Sequence, residues 1–334
     1  MDKKYSAPTI RDVAREAGVS LGTVSKVIND LPVGERYRLK VEAAAARLGY
    51  QVNAYARSMR THKTNIVALI LPNLNNSFFA MLAHQVCKAL SEREYRMLVY
   101  MTDFDGNTEQ NCVNMVRQHR VDGIIALTYN PDLELDENIP FVSIDRYFKS
   151  TIPCISADNY GGGQLAAEKL VSLGCKRLVF FGVGSRVAGS ADSRWDGFAS
   201  YCRSANIPYD SIRLKDGDNT ELFKEYLKNH MTGGKPDFDG AFCATDRVAA
   251  EIQAFMEEIG IRVPEDVQII GFDGVRSFGD GELICSTIVQ PLQQMAVACV
   301  DILLAKDRSS APARICLPVA YAPGGTTREP VKRK

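Results

Sequence analysis

TIRDVAREAGVSLGTVSKVIN, residues 9–29, contains two short helical patterns separated by a turn. Thr9 is a good residue to cap the first helix, and Gly18 favours the left-handed conformation that ends one. Ser20 can then cap a second helix over about 21–29. This order of helix, short turn and helix predicts a helix-turn-helix.

Apolar spacing completes the prediction for this N-terminal part. A third helix is expected over Glu35–Leu48, ending at Gly49. The residues expected to form the core of the three helices are Ile10, Val13, Ala14, Ala17, Val24, Val27, Ile28, Leu39, Val41, Ala45 and Leu48.

The charge is unevenly distributed along the 334 residues, although the formal net charge is zero. Residues 1–64 hold 12 Lys and Arg against 6 Asp and Glu, a net charge of +6, and the remainder carries −6. A basic module joined to an acidic body is typical of a protein that binds a polyanion.

The second helix is expected to enter the DNA major groove with its N-terminus first. Lys26 can donate to guanine acceptors, Leu21 can contact a thymine methyl group, and Gly22 lets the backbone approach the bases. Thr9, Thr23 and Asn29 are better placed for phosphates. The residues expected at DNA in this part are Thr9, Ile10, Ser20, Leu21, Gly22, Thr23, Ser25, Lys26 and Asn29.

Residues 9–29 closely resemble the signature of the LacI/GalR family of bacterial repressors. The stretch LGYQVNAYARSMR, residues 48–60, looks like the hinge of that family. Two features depart from the family pattern. Val33-Gly34-Glu35-Arg36 stands where Val-Ser-x-x-Thr is frequent, and Val52 stands where Pro commonly precedes the hinge Asn.

The hinge is too short to form a stable helix alone, but two copies can fold together in a minor groove. An apolar side chain in such a hinge can wedge between base steps, and the resemblance gives this role to Met59. The hinge residues expected at DNA are Asn53, Ala56, Arg57 and Met59.

From Asn65 onward, apolar strands alternate with helical stretches. This rhythm predicts an α/β body of two doubly wound parallel-sheet lobes, with a ligand in the crevice beyond the strand ends. The resemblance implies a body like periplasmic sugar-binding proteins. The expected domains are a helix-turn-helix head (1–52), a hinge (53–64) and a body (65–334), with lobe 1 at about 65–160 plus 291–325 and lobe 2 at about 161–290.

Several polar residues follow predicted strands, where the crevice would open. Carboxylates accept paired hydrogen bonds from sugar hydroxyls, Arg194 can donate to them, and two phenylalanines can form an apolar wall. The residues expected at the effector, in part from the resemblance, are Asn76, Phe78, Phe79, Asp145, Arg146, Arg194, Thr245, Asp246, Asp273 and Gln290.

The remaining composition points to no metal or cofactor. The nine cysteines include no Cys-x-x-Cys pair, and the four histidines are widely separated. Gly182-Val183-Gly184 does not complete a dinucleotide fingerprint, and Gly161-Gly162-Gly163 lacks the Lys of a phosphate-binding loop. No Ser/His/Asp order stands out, so an enzyme is not expected.

A sugar receptor without a regulatory role is the alternative function, but it would need a secretory signal and no DNA-binding head. The N-terminus is polar, and no apolar run is long enough for a membrane span. We therefore expect a cytoplasmic, homodimeric transcription regulator that acts as a repressor. It would bind a pseudo-palindromic double-stranded operator, under control of a small-molecule effector of the sugar class.

Overall fold

The computed structural model describes residues 8–29, 31–50, 63–147, 149–184, 187, 189–215, 217–277, 281–307 and 312–328. Contacts divide the chain into two compact units, which meet in sequence between Thr64 and Asn65. The first unit is called the head and the second the body. No helix in the described residues is long and apolar enough to cross a membrane.

The head consists of α1 (Ile10–Ala17), α2 (Leu21–Ile28) and α3 (Glu35–Leu48). Thr9 caps α1 in a capping box, because its side chain accepts from the Asp12 amide while the Asp12 carboxylate accepts from the Thr9 amide. Gly18 ends α1 with a φ of 62°, the left-handed conformation that the sequence predicts. The turn between α1 and α2 is therefore formed by local backbone chemistry.

The head core is small and aliphatic. Val13, Val24, Val41 and Ala44 are almost completely buried. The prediction that Leu39 packs in this core is wrong, because its side chain is 60% exposed. Leu39 lies two residues before Val41, a rotation of about 200° around a helix, so the two side chains point to opposite sides.

The body contains two six-stranded sheets, each the centre of one lobe, and a short separate hairpin. The lobe 1 sheet is formed by β1 (Ile66–Leu71), β2 (Arg96–Met101), β3 (Gly123–Ala126), β4 (Phe141–Ile144), β5 (Cys154–Ala157) and β13 (Arg314–Leu317). The lobe 2 sheet is formed by β6 (Leu178–Val183), β7 (Tyr209–Leu214), β10 (Gly240–Cys243), β11 (Gln268–Asp273), β12 (Thr287–Val289) and β14 (Ala320–Ala322). The hairpin is β8 (Met231–Thr232) with β9 (Lys235–Pro236).

The strand orders are β13-β5-β4-β3-β1-β2 and β14-β12-β11-β10-β6-β7. Every neighbouring pair in the two sheets is parallel except β12 with β14. Helices lie on both faces of each sheet, which explains why β1 is buried almost throughout. The body helices are α4 (Ser77–Ser91), α5 (Gly106–Gln118), α6 (Asn159–Ser172), α7 (Ser193–Ser204), α8 (Glu221–Asn229), α9 (Asp246–Glu258) and α10 (Leu292–Leu304).

The chain crosses between the lobes three times, after β5, after β12 and after β13. The α10 helix follows a lobe 2 strand but packs in the lobe 1 core, and β14 follows a lobe 1 strand but pairs with β12. The expected assignment of residues 291–325 to lobe 1 is therefore wrong at its end. Ala320 pairs with Val289, which places β14 in lobe 2.

Candidate functional site

The exposed face of α2 carries the residues predicted to read bases. Leu21 is 46% exposed, and Gly22 and Lys26 are also exposed. Ser20 caps the helix, because its Oγ accepts from the Thr23 amide at 3.1 Å, and it also lies 2.9 Å from the Thr23 hydroxyl. This mutual contact orients both hydroxyls at the N-terminus of α2, the end predicted to meet the DNA.

A hollow of about 480 Å³ lies between α2 and the start of α3. Tyr37 is half exposed at its edge and is a residue that the sequence reasoning missed. An exposed aromatic between Arg36 and Arg38 was the available signal. The residues that line the hollow are Ser20, Gly22, Thr23, Lys26, Pro32, Val33, Gly34 and Tyr37.

The other predicted head residues have local roles in the structure. The Thr9 hydroxyl donates to Asp12, and Ile10 packs against the head core. Asn29 Nδ2 donates to the Ser25 carbonyl at 2.5 Å at the end of α2. The four hinge residues, Asn53, Ala56, Arg57 and Met59, lie outside the described residues.

In the body, two residues at the end of β4 connect lobe 1 to lobe 2. Asp145 accepts two hydrogen bonds of 3.1 Å from Ser190, one from the hydroxyl to its carboxylate and one from the amide to its carbonyl. Ser190 starts a short 3₁₀ helix, Ser190–Asp192, that follows β6 in lobe 2. Asp145 has a φ of 57°, an uncommon conformation for a residue other than glycine that turns the chain into the crevice.

Arg146 makes a second connection between the lobes. Its guanidinium donates to the Val187 carbonyl and lies 4.3 Å from the centre of the Tyr129 ring. The Tyr129 ring in turn packs edge-on against the Phe104 ring, with a distance of 4.8 Å between the ring centroids. Phe104 is exposed, and both aromatics follow lobe 1 strands, so they lie at the strand-end edge of lobe 1, although the sequence pattern did not indicate them.

Arg194, in the first turn of α7, is the buried centre of the lobe 2 side. Its Nε donates to Asn159 Oδ1 at 2.7 Å and its Nη1 to the Ala244 carbonyl at 2.5 Å. Nη1 also lies 3.7 Å from Asp273 Oδ1, and the guanidinium covers the Phe272 ring at 3.6 Å. The guanidinium thus joins the ends of three segments at the crevice.

Asp273 and Gln290 face each other beside this arginine. Gln290 Nε2 donates to Asp273 Oδ1 at 2.8 Å, while the buried Gln290 Oε1 has no hydrogen-bond partner among the described residues. Burial raises the pKa of Asp273 to about 7, although Arg194 acts in the opposite direction. Burial also raises the pKa of Asp145, against Arg194 and the Ser190 hydrogen bond. The unpaired acceptor and the two acids are groups that ligand hydroxyls satisfy well.

Asp246 and Thr245 differ from the other predicted residues in having their polar atoms occupied. The Asp246 carboxylate is fully buried and accepts from the amides of Gly274 and Val275, at 2.8 and 2.6 Å, and from the Thr287 hydroxyl at 2.5 Å. Thr245 caps α9 by accepting from the Val248 amide. Asp246 therefore holds the loop that follows β11, and Thr245 holds the start of α9.

Asn76, Phe78 and Phe79 lie at the start of α4 in lobe 1. Asn76 Oδ1 accepts from the Phe78 amide at 3.0 Å, so this side chain caps the helix. The two phenylalanines are buried in the lobe 1 core with their ring centroids 5.7 Å apart. Phe79 lies 6.4 Å from Phe104, which continues the row of aromatics toward the crevice.

Matches to known proteins agree with this geometry. Residues 9–53 match the model of the bacterial regulatory proteins of the lacI family, and residues 64–304 match that of periplasmic binding proteins and the sugar binding domain of the LacI family. The ribose operon repressor of Bacillus subtilis (strain 168) is 33% identical over 96% of this chain and 99% of its own length.

Two further matches agree with this one. The sucrose operon repressor of Pediococcus pentosaceus is 30% identical over 89% of this chain and 91% of its own length. The crystal structure of the Lac repressor dimer bound to operator and an anti-inducer shares the fold, with a TM-score of 0.79 at 22% identity over 97% of this chain and 100% of that one. The chain belongs to the LacI family of bacterial regulatory proteins and is a DNA-binding transcriptional repressor that carries the sugar-binding domain of that family.

Proposed function

We propose that this repressor binds a pseudo-palindromic operator as a homodimer and that a sugar bound between the lobes of the body controls its operator affinity. The observation that carries this proposal is the buried group formed by Arg194, Asp273 and Gln290 at the strand ends of lobe 2. It holds an acceptor without a partner among the described residues. The relatives named as ribose and sucrose operon repressors support a sugar as the effector class.

In this proposal, Asp145, Arg146, Arg194, Asp273 and Gln290 contact the sugar, and Phe104 and Tyr129 form its apolar wall. Asp246 positions the loop after β11, Thr245 caps α9, and neither contacts the ligand. Asn76, Phe78 and Phe79 support the aromatic wall from α4. The division rests on the hydrogen bonds: the Asp246 carboxylate and the Thr245 hydroxyl are bonded within lobe 2, whereas Asp145 and Arg146 bond across the lobes.

The connections between the lobes supply a route for control. Two side chains of lobe 1, Asp145 and Arg146, bond to the loop after β6 in lobe 2. A sugar that bonds to the same groups would change the free-energy difference between open and closed arrangements of the lobes. The lobes would rotate about the three segments that cross between them. This movement would then control whether the hinge, which contains Asn53, Ala56, Arg57 and Met59, folds on the operator. The protein acts in the cytoplasm and catalyses no reaction in this proposal.

An effector screen tests the proposal directly. The full-length protein is bound to a labelled operator, and anisotropy is followed while neutral sugars, with ribose and sucrose among them, and sugar monophosphates are added. At least one sugar is expected to change operator affinity and to raise the melting temperature of the protein by mass action. If none of these compounds changes operator affinity or the melting temperature, the proposal that the effector is a sugar is refuted.

Lys26→Ala is expected to relax the base preference of the head. Lys26 is exposed on α2 beside the hollow and carries the charge best placed for guanine acceptors. Loss of such a contact reduces discrimination at one base position by about 1–3 kcal/mol. Selection from a random operator library measures this loss.

Two variants serve as comparisons for Lys26→Ala. Lys40→Ala removes an exposed lysine from α3, and it should leave the base preference unchanged. Arg57→Ala should weaken binding to all sequences and flatten its salt dependence. An unchanged preference in Lys26→Ala would refute a base-reading role for this residue.

Asp273 should make stability depend on pH. Because its pKa is raised to about 7, the folded protein holds a proton between about pH 4 and pH 7 that the unfolded chain releases. This contribution to stability is fully present below about pH 4 and is lost as the pH rises through about 7. The free energy of unfolding of Asp273→Asn minus that of wild type should therefore increase from pH 5 to pH 8, as measured by urea unfolding.

Asp266→Asn is the control for this titration. Hydrogen bonds from Arg262 lower the pKa of Asp266 to about 2, so the carboxylate stays charged throughout this range. The difference in stability between Asp266→Asn and wild type should be the same at pH 5 and pH 8. An equally constant difference for Asp273→Asn would contradict the assigned titration.

A further inference from the structure

Lobe 2 contains a cavity of about 520 Å³ beside the crevice, which we call the side cavity. Its volume lies within the range of about 300–1,000 Å³ that is usual for small-molecule sites. The lining includes Trp195 of α7, Ala191 and Asp192 before it, and Arg213 and Lys215 at the end of β7. None of these five was among the residues predicted to contact the effector.

The side cavity adjoins the proposed sugar site through two shared segments. Ala244 lines the cavity while its carbonyl accepts from Arg194. Ala191 and Asp192 directly follow Ser190, whose hydroxyl donates to Asp145. A ligand whose ring lies at Arg194 and Asp273 therefore has the side cavity next to it, toward the β7 edge of the sheet.

The polar groups around the side cavity favour an anion. The Arg213 guanidinium lies 5.1 Å from the centre of the Trp195 ring, and this stacking orients its donors. Lys215, the residue directly after β7, also lines the side cavity, so both cations are at the same cavity. Among the residues that the structure describes, no ion pair joins either cation to a carboxylate.

Several acceptors near the side cavity already accept hydrogen bonds from the protein. The Leu214 carbonyl accepts from the Gly184 amide at 2.7 Å, and the Ala244 carbonyl accepts from Arg194. Asp192 accepts from the Gly189 amide, and Asp218 accepts from the backbone amide of Lys215 rather than from its ammonium group. A phosphate accepts hydrogen bonds and donates few, and the two cations of the side cavity offer the donors that it needs.

We propose that the side cavity binds the phosphate of a phosphorylated sugar whose ring occupies the crevice. This inference rests on the proposed function and narrows its effector class from sugars to sugar phosphates. Loss of one charge-assisted contact to the phosphate corresponds to about 10- to 100-fold in affinity.

The only tryptophan in the sequence, Trp195, lines the side cavity and reports on it by fluorescence. The full-length protein is titrated with three kinds of probe at constant ionic strength. These are inorganic phosphate, the neutral sugars ribose, glucose and fructose, and the corresponding monophosphates. We expect at least one monophosphate to bind about ten-fold more tightly than its parent sugar and than inorganic phosphate.

Arg213→Gln and Lys215→Gln should each remove most of this preference while leaving the affinity for the parent sugar within about two-fold. Arg203→Gln is the control, because Arg203 is an exposed arginine of α7, the helix of Trp195, that contacts Tyr209 and does not line the side cavity. Equal binding of parent sugars and monophosphates, or a preference that survives Arg213→Gln, overturns the inference.

Inorganic phosphate that binds as tightly as the monophosphates would also overturn it, since the side cavity would then hold a free ion. Operator release by neutral sugars separates the two proposals. If neutral sugars act on the operator without any phosphate preference, the proposed function stands and the side cavity inference fails. If phosphate binding depends on Arg213 while no sugar changes operator affinity, the anion site stands and the sugar-controlled function fails.

Discussion

Arg194→Met should destabilise the body by about 3–5 kcal/mol and abolish the response of operator binding to the effector. The guanidinium is almost completely buried and holds Asn159, the Ala244 carbonyl and Asp273 in one arrangement. Methionine retains much of the side-chain volume and the contact with Phe272, but it leaves the buried acids without their cation. The loss is therefore electrostatic and is measured by urea unfolding monitored by circular dichroism.

The double variant Arg194→Met/Asp273→Asn tests this assignment. Removing both charges should cost less than the sum of the two single changes, because neither charge is then left buried alone. Arg203→Met, on the exposed side of α7, is the control and should change stability by about 0.5 kcal/mol or less. Additive effects in the double variant, or an effector response that persists in Arg194→Met, would contradict the role given to Arg194.

Local chemistry explains why the head could be predicted closely from the sequence. The cap at Thr9, the left-handed Gly18 and the cap at Ser20 involve residues no more than four positions apart. Leu39 was misjudged because hydrophobicity alone was read as burial, although its phase on α3 places it opposite Val41. In so small a core, the position of a residue around the helix therefore predicts its burial better than its hydrophobicity does.

The crevice was predictable only in part. A polar residue at the end of a parallel strand points to a binding edge, and this rule selected Asp145, Asp246 and Asp273 alike. The difference between Asp246 and Asp273 depends on the loop at 274–275 and on Thr287, which are close only in the folded chain.

The same limitation applies to partners that come from distant segments. Ser190 reaches Asp145 across the lobes, and Asn159 reaches Arg194 from α6. The edge strands β7, β13 and β14 consist mostly of exposed or half-buried residues, so an apolar run does not reveal them. Contacts that depend on topology were therefore outside the reach of sequence patterns.

Gly163→Ala and Gly197→Ala should each destabilise lobe 2 by about 3 kcal/mol or more, although alanine normally stabilises a helix relative to glycine by about 1 kcal/mol. A Cβ at Gly163 would lie 2.0 Å from the Arg194 carbonyl oxygen, and one at Gly197 would lie 1.9 Å from the Tyr160 carbonyl oxygen. Both obstacles are backbone atoms, so no rotation of a side chain relieves the overlap. The helices α6 and α7 would have to move apart.

That movement should also weaken effector binding, because the two helices carry the hydrogen-bonded pair Asn159 and Arg194. Gly106→Ala in α5 is the matched control, since its new Cβ would meet only the Asn130 side chain at 3.4 Å. Melting temperature and sugar affinity should both fall in Gly163→Ala and in Gly197→Ala, and both should change little in the control. A Gly163→Ala protein that melts higher than wild type would show that the two helices do not cross at this distance. If these variants lose stability but keep full effector affinity, the close packing of α6 and α7 stabilises lobe 2 without positioning Arg194 for the effector.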